Sequence, residues 1–247
     1  MPPVPNLLTA ACGNSTIDCL RHADGARLRV AASDTALAEV RDWLAGASVA
    51  RCVVVSVAPL ALANLTRVLQ GHGILVQLAG RDLPCPLPLD YATPQTLGAD
   101  RWVGALAAHH AHGRAVVVDA GTATTVNLVE ADGTFRGGSI APGLRAFVAG
   151  MAAVTPALPP ADCEACPSVP SRSTQAAVDT GVLLGYCGLV ERLVAETLRA
   201  ARGPATVVVT GGNGPRLVQH ARLQAAHVPD LVHRGLRLLA ERATWNC

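Results

Sequence analysis

Val116-Val-Val-Asp-Ala-Gly-Thr-Ala-Thr-Thr-Val126 decides the fold of this chain. A β-branched run has the character of a buried strand, and it delivers Asp119 into a turn at Gly121 lined by Thr122, Thr124 and Thr125. Glycine permits a close, side-chain-free approach, and its neighbours' exposed N–H groups make an anion cradle. The hydroxyls of the threonines are further donors, and Asp119 can hold a cation that neutralises phosphate charge. Near the N-terminus, Leu7-Leu-Thr-Ala-Ala-Cys-Gly-Asn-Ser15 repeats the arrangement with Ala11 where Asp119 stands. One such turn is a weak signal; two point to an internal duplication.

The surrounding pattern extends the duplication. Strands are expected at 7–12, 17–21 and 27–31, with an Asp24-Gly25 hairpin turn between the last two. A helix behind Ser33 repeats apolar Leu37, Val40 and Leu44 and ends before Gly46. A strand at 52–57, a helix at 60–70 and a strand at 74–78 follow. After a proline-rich loop and a helix at 100–112, the meander restarts with strands at 115–120, 124–130 and 134–139, turning at Asp132-Gly133. Helices at 144–154 and 174–201 and a strand at 207–210 complete it, the last ending in Gly211-Gly-Asn-Gly214. The pattern is α/β with mixed sheets: two ribonuclease-H-like, actin-like domains of βββαβαβα type, at 1–112 and 113–247, with a nucleotide in the cleft between them.

Composition narrows the chemistry. The chain has 247 residues, half of them hydrophobic, ample for a substantial core. A net charge of +2 and 3% aromatic content argue against nucleic acid as a partner. No long uncharged apolar run or signal peptide is evident, so the expectation is a cytoplasmic protein without a membrane partner. All 20 basic residues are arginine; the lysine of a Walker A loop, a protein kinase or a pyridoxal enzyme is missing. The eight cysteines read mainly as buried thiols, and neither Cys163-Glu-Ala-Cys166 nor His109-His-Ala-His112 completes a metal site. In Tyr91-Ala-Thr-Pro-Gln-Thr-Leu-Gly-Ala-Asp-Arg-Trp102, Asp100 and Arg101 stand where a loop enters a helix. A carboxylate there can accept a proton and the guanidinium can bind an anion; an acidic residue in a helix's first turn also suits the helix dipole.

Five segments in order, Gly98-Ala-Asp-Arg101, Asp119 to Thr125, Gly137-Gly-Ser-Ile-Ala-Pro-Gly-Leu144, Ser173-Thr174 through Gly181 and Gly185, and Thr210-Gly-Gly212, resemble the type III pantothenate kinases of the actin, Hsp70 and sugar kinase superfamily. The resemblance implies ATP-dependent phosphorylation of pantothenate, the first step toward coenzyme A, by a homodimer. Asp100 would be the general base. Tyr91, Gly98, Ala99, Asp100, Arg101 and Thr174 would bind pantothenate. Gly13, Asn14, Ser15, Thr16 and Thr122 would contact ATP, which brings Mg2+, and Asp119 would hold a monovalent cation, K+ or NH4+. The family opens D-x-G-N-[ST], whereas this chain has Ala11-Cys-Gly-Asn-Ser15, with Asp18 nearby. Loss of one preorganised electrostatic group is worth about 3 kcal/mol in a transition state. The alternatives are therefore a catalytically impaired relative that binds ligand and acts as an accessory protein, as in the Bvg accessory factors, and a superfamily kinase for another small alcohol.

Overall fold

A computed structural model describes residues 6–33 and 36–243, and these pack as two compact units. Unit 1 takes the described residues up to Pro88, Ala92–Ala107 and those from Asp230 on; unit 2 takes Leu89–Tyr91 and Ala108–Pro229.

Unit 1 opens with β1 (Leu7–Cys12), β2 (Thr16–Arg21) and β3 (Arg27–Ala31), then α1 (Ala36–Leu44), β4 (Arg51–Ser56), α2 (Pro59–Gly71) and β5 (Leu75–Leu78). The sheet order is β3-β2-β1-β4-β5. Its first three strands are antiparallel, and β4 and β5 join parallel to β1. The β2–β3 turn forms because Gly25 takes a φ of 72° and Asp24 Oδ1 accepts from Ala26 N at 3.0 Å, an Asx-type closure. Alternation along the strands sends Leu8, Ala10, Cys12, Ile17 and Cys19 to one face, where they pack on Val40 and Leu44 of α1 and Leu65 and Leu69 of α2. Burying each such aliphatic side chain contributes roughly 1.5–3 kcal/mol. In β4, Val53, Val54 and Val55 are all buried, as expected of a strand flanked by neighbours and covered on both faces.

A short 3-10 turn at Pro94–Thr96 leads into α3 (Ala99–His112), which starts in unit 1 and ends in unit 2. Unit 2 then repeats the meander as β6 (Ala115–Ala120), β7 (Ala123–Val129) and β8 (Phe135–Pro142), followed by α4 (Leu144–Val154), α5 (Thr174–Ala200), β9 (Thr206–Thr210), α6 (Gly214–His220) and β10 (Ala226–His227). The order is β10-β9-β6-β7-β8. Val116, Val118, Ala120, Val126 and Leu128 meet Val182, Leu183, Tyr186 and Val190 of α5 in one core. Ser173 caps α5, its side chain accepting from Ala176 N at 3.2 Å.

The expected fold class holds, with two differences in detail. Unit 2 carries its two successive helices at the expected places and adds α6 and the two-residue β10, which is too short to leave a periodic signal. The packing also does not follow one cut at 112/113. The final helix, α7 (Leu231–Ala243), belongs to unit 1 because its apolar stripe of Leu231, Leu236, Leu239 and Ala240 is buried against β1 and β4. It also crosses α3 closely: a side chain at Gly235 would overlap the Val103 carbonyl oxygen.

Candidate active site

In unit 2, β6 lies between antiparallel β7 and parallel β9, and Asp119 pairs with Thr125 on one side and Thr210 on the other. Gly121 N donates to Ala123 O at 3.1 Å, closing the turn. Glycines wall it. A Cβ at Gly211, whose φ is 87°, would lie 2.5 Å from Asp119 Oδ1 and 2.6 Å from the Ala120 carbonyl carbon; one at Gly143 would overlap the Gly121 and Thr122 carbonyls. Asn213 braces the same turn, its backbone N donating to Ala120 O at 2.9 Å and its Nδ2 to Gly121 O at 3.2 Å. Sequence reasoning misses Gly143 and Asn213 as individual contributors, although both stand in glycine-rich segments that it singles out.

The threonines divide. Thr122 is exposed at the turn. Thr124 is fully buried and its Oγ1 is 2.8 Å from the Tyr186 hydroxyl, so it faces the core and is not a phosphate donor. Thr125 Oγ1 accepts from Asn127 Nδ2 at 3.0 Å. Burial pushes the Tyr186 phenol up to about 12, against the opposing effect of its Thr124 hydrogen bond.

Unit 1 has a corresponding turn that is one residue longer. Gly13 N donates to Thr16 O at 2.9 Å, and Asn14 and Ser15 are exposed. Cys12 points into the core with α1 and α2, and burial raises its thiol to about 12, which leaves it unreactive. Ala11 is paired across the strands with Asp18. Asp18 is held by Arg27, with Nε at 2.8 Å and Nη2 at 2.6 Å, and by His233 Nε2 of α7 at 3.3 Å. Burial opposes its ionisation, but these hydrogen bonds prevail and keep the carboxyl well below the ordinary range. The chain of contacts continues: Thr9 Oγ1 is 2.8 Å from His233 Nδ1 and 2.9 Å from His22 Nε2. Sequence reasoning misses His22 and His233, since α7 is remote from β1 along the chain.

The segment from Gly98 to Arg101 is compact. Asp100, in the first turn of α3, accepts from Arg101 N through Oδ1 at 2.9 Å. Burial raises its carboxyl above the ordinary value, in the direction that makes a better proton acceptor. A Cβ at Gly98 would lie 2.6 Å from Asp100 Oδ1, so a larger residue there would displace the carboxylate. Arg101 is 7% exposed. Gly98, Ala99, Asp100 and Arg101 thus sit together in unit 1. Tyr91 belongs to unit 2, where its ring is 6.3 Å from that of Phe135 and 2.9 Å from where a Cβ of Gly137 would be. Thr174 opens α5, also in unit 2, and is exposed.

Among the described residues no group of three or more His, Cys, Asp and Glu side chains is placed to hold a metal. Cys163 and Cys166 are free. No described helix is long and apolar enough to cross a membrane.

Two five-stranded mixed sheets, each with a glycine turn after its first strand, define an actin-like, sugar-kinase-type fold. A Baf family transcriptional activator from Campylobacter jejuni has a similar structure, with a TM-score of 0.62 at 21% identity over 96% of this chain and 98% of that one. So does a ROK family glucokinase from Streptomyces griseus, with a TM-score of 0.56 at 12% identity over 96% and 99%. At such identities the likeness is one of fold. The sequence goes further: residues 7–196 match the family model of the type III pantothenate kinases. A type III pantothenate kinase from Rhizorhabdus wittichii is 35% identical over 77% of this chain and 75% of its own length. The chain belongs to the type III pantothenate kinase family.

Proposed function

We propose that this protein transfers the γ-phosphoryl group of ATP to the primary hydroxyl of pantothenate, giving 4'-phosphopantothenate, the first step of coenzyme A biosynthesis. The observation that carries the proposal is Asp100. It is a carboxylate on the first turn of a helix, its basicity raised by burial, packed close against Gly98 and with an arginine next in sequence. In this reading Asp100 takes the hydroxyl proton as the oxygen attacks the γ-phosphorus in line, and the bond to the β-phosphate oxygen breaks to release ADP. Catalysis by such a site is positioning and charge neutralisation more than covalent chemistry.

Arg101 binds the pantothenate carboxylate, supported by Gly98 and Ala99, with Tyr91 and Thr174 as further substrate contacts. Gly13, Asn14, Ser15, Thr16 and Thr122 contact ATP. The Asp119 carboxylate beside the glycine turn is a hard oxygen donor of the kind a cation takes, with Gly211 leaving room next to it. Asp119 would hold K+ or NH4+ there, and the nucleotide would carry Mg2+; bound cations supply neutralisation of phosphate charge. The protein is proposed to act in the cytoplasm as a homodimer. The apolar groove of Pro142, Ala146, Phe147, Met151, Gly181 and Val182 between α4 and α5 supports self-association, which analytical ultracentrifugation checks.

The test is pantothenate-dependent ADP release with Mg2+ and K+ present. Asp100→Asn is expected to lower kcat by at least about 10²-fold while pantothenate still binds in calorimetry. Full activity in that variant would remove Asp100 as the base. Absence of turnover in the native protein would favour the accessory reading.

A further inference from the structure

The two turns differ in which strand bears the acid. Both close through the N–H of their glycine, Gly13 and Gly121. Two residues before that glycine, unit 2 has Asp119 facing Thr125, and unit 1 has Ala11 facing Asp18. Directly opposite residues of antiparallel strands project from the same face with Cβ atoms about 4.5–5.5 Å apart. A carboxylate from either strand therefore reaches the space above that rung. Alanine at 11 leaves room for the Asp18 side chain, whereas acids on both sides would repel.

Asp18 is also kept in the ionised form that binds a cation. Its two oxygens face Arg27 and His233. The Arg27 side chain is 35% exposed, stands on β3, the edge strand of the sheet, and is attracted by Asp230 as well as by Asp18. His233 is fixed, 2% exposed and bonded to Thr9, and orients the acid from behind.

We propose that Asp18 is the carboxylate of the first phosphate turn, standing in for the missing acid at position 11, and that it exchanges Arg27 for the cation accompanying the nucleotide. The inference rests on the kinase reading above and adds a residue to it. Arg27 then competes with nucleotide binding, whereas a structural Asp18–Arg27 pair would make its two members equivalent.

Calorimetric titration of Mn2+ with a non-hydrolysable ATP analogue separates the cases. Asp18→Asn should weaken binding about 10- to 100-fold, and Arg27→Gln, which removes the competitor, should tighten it. Ala11→Asp combined with Asp18→Asn should recover affinity by returning the acid to the rung from the other strand. Unchanged binding in Asp18→Asn overturns the proposal, and so does equal weakening in Asp18→Asn and Arg27→Gln. Pantothenate-dependent ADP release by the native protein is measured in parallel. Its absence defeats the kinase reading, whereas native turnover with nucleotide binding insensitive to Asp18 defeats only this inference.

Discussion

Asp119 and Asp18 are carboxylates beside corresponding turns, but their surroundings differ. Asp119 is confined by shape: Gly121 and Gly211 bring backbone against it, and Asn213 ties the turn to the β9 end. Asp18 is confined by charge, between a guanidinium and an imidazole. Backbone walls do not titrate and cannot leave, so the unit 2 acid sits in a permanent cradle. Ion pairs exchange, so the unit 1 acid is open to competing cations. A duplicated turn can thus keep its backbone and change how its acid is held.

The largest effect expected from testing this contrast is at Asp119. Asp119→Asn keeps the shape and removes the charge. It should lower kcat/KM for ATP by about 10²–10³-fold, the scale of one preorganised electrostatic group, and abolish the proposed activation by K+, with the thermal midpoint little changed. Steady-state kinetics with K+ varied decides it. A variant that unfolds instead would show that the charge, not the glycine walls, holds the turn.

The amino-acid sequence carries part of this contrast. The strands around both turns are legible because apolar runs end in glycine and the hairpin turns carry Asp-Gly, local chemistry that survives in any context. Asp18 stands out in the sequence as a neighbour of Ala11, but that the two share a rung depends on register, and its partners on β3 and α7 are supplied by the tertiary fold. His233 lies 224 residues from the Thr9 it touches, beyond any local pattern. Thr124 reads as a phosphate donor because it stands in a hydroxyl cluster. The strand period gives the contrary signal, since Thr124 falls in phase with buried Val126 and Leu128 and so faces the core.

Acid should separate the units next. The ring of His22 is driven down from 6.5 to about 4, by burial first and then by Arg237 and His233, with Glu241 and Asp230 opposing. A histidine with a lowered folded value takes up protons on unfolding between those two values, so unit 1 loses stability as pH falls from 6.5 toward 4. Asp18, with a folded value below its unfolded 3.8, keeps its full contribution above that pH and loses it only as pH falls further. Hydrogen exchange at pH 7 and pH 4.5 should therefore show β1 and β2 losing protection while β6 and β7 keep theirs. His22→Gln should reduce the difference. Equal loss in both meanders would mean that the Thr9 network does not govern unit 1.

The smallest effect concerns what lies beneath the rigid turn. Tyr186 donates to or accepts from Thr124 inside the core, and its ring meets Phe147 of α4 edge-on at 5.9 Å. Tyr186→Phe retains the packing and strands the Thr124 hydroxyl, so it should destabilise by about 1–2 kcal/mol, read by chemical denaturation. Adding Thr124→Val removes the stranded partner, and the double variant should recover most of that loss, because replacing both partners by apolar groups leaves nothing buried and unsatisfied. Recovery of stability with an unchanged KM for ATP would locate the stiffness of the unit 2 turn in its glycine walls. A rise in KM that persists in the stable double variant would instead assign part of it to the hydrogen bond that Tyr186 makes from α5.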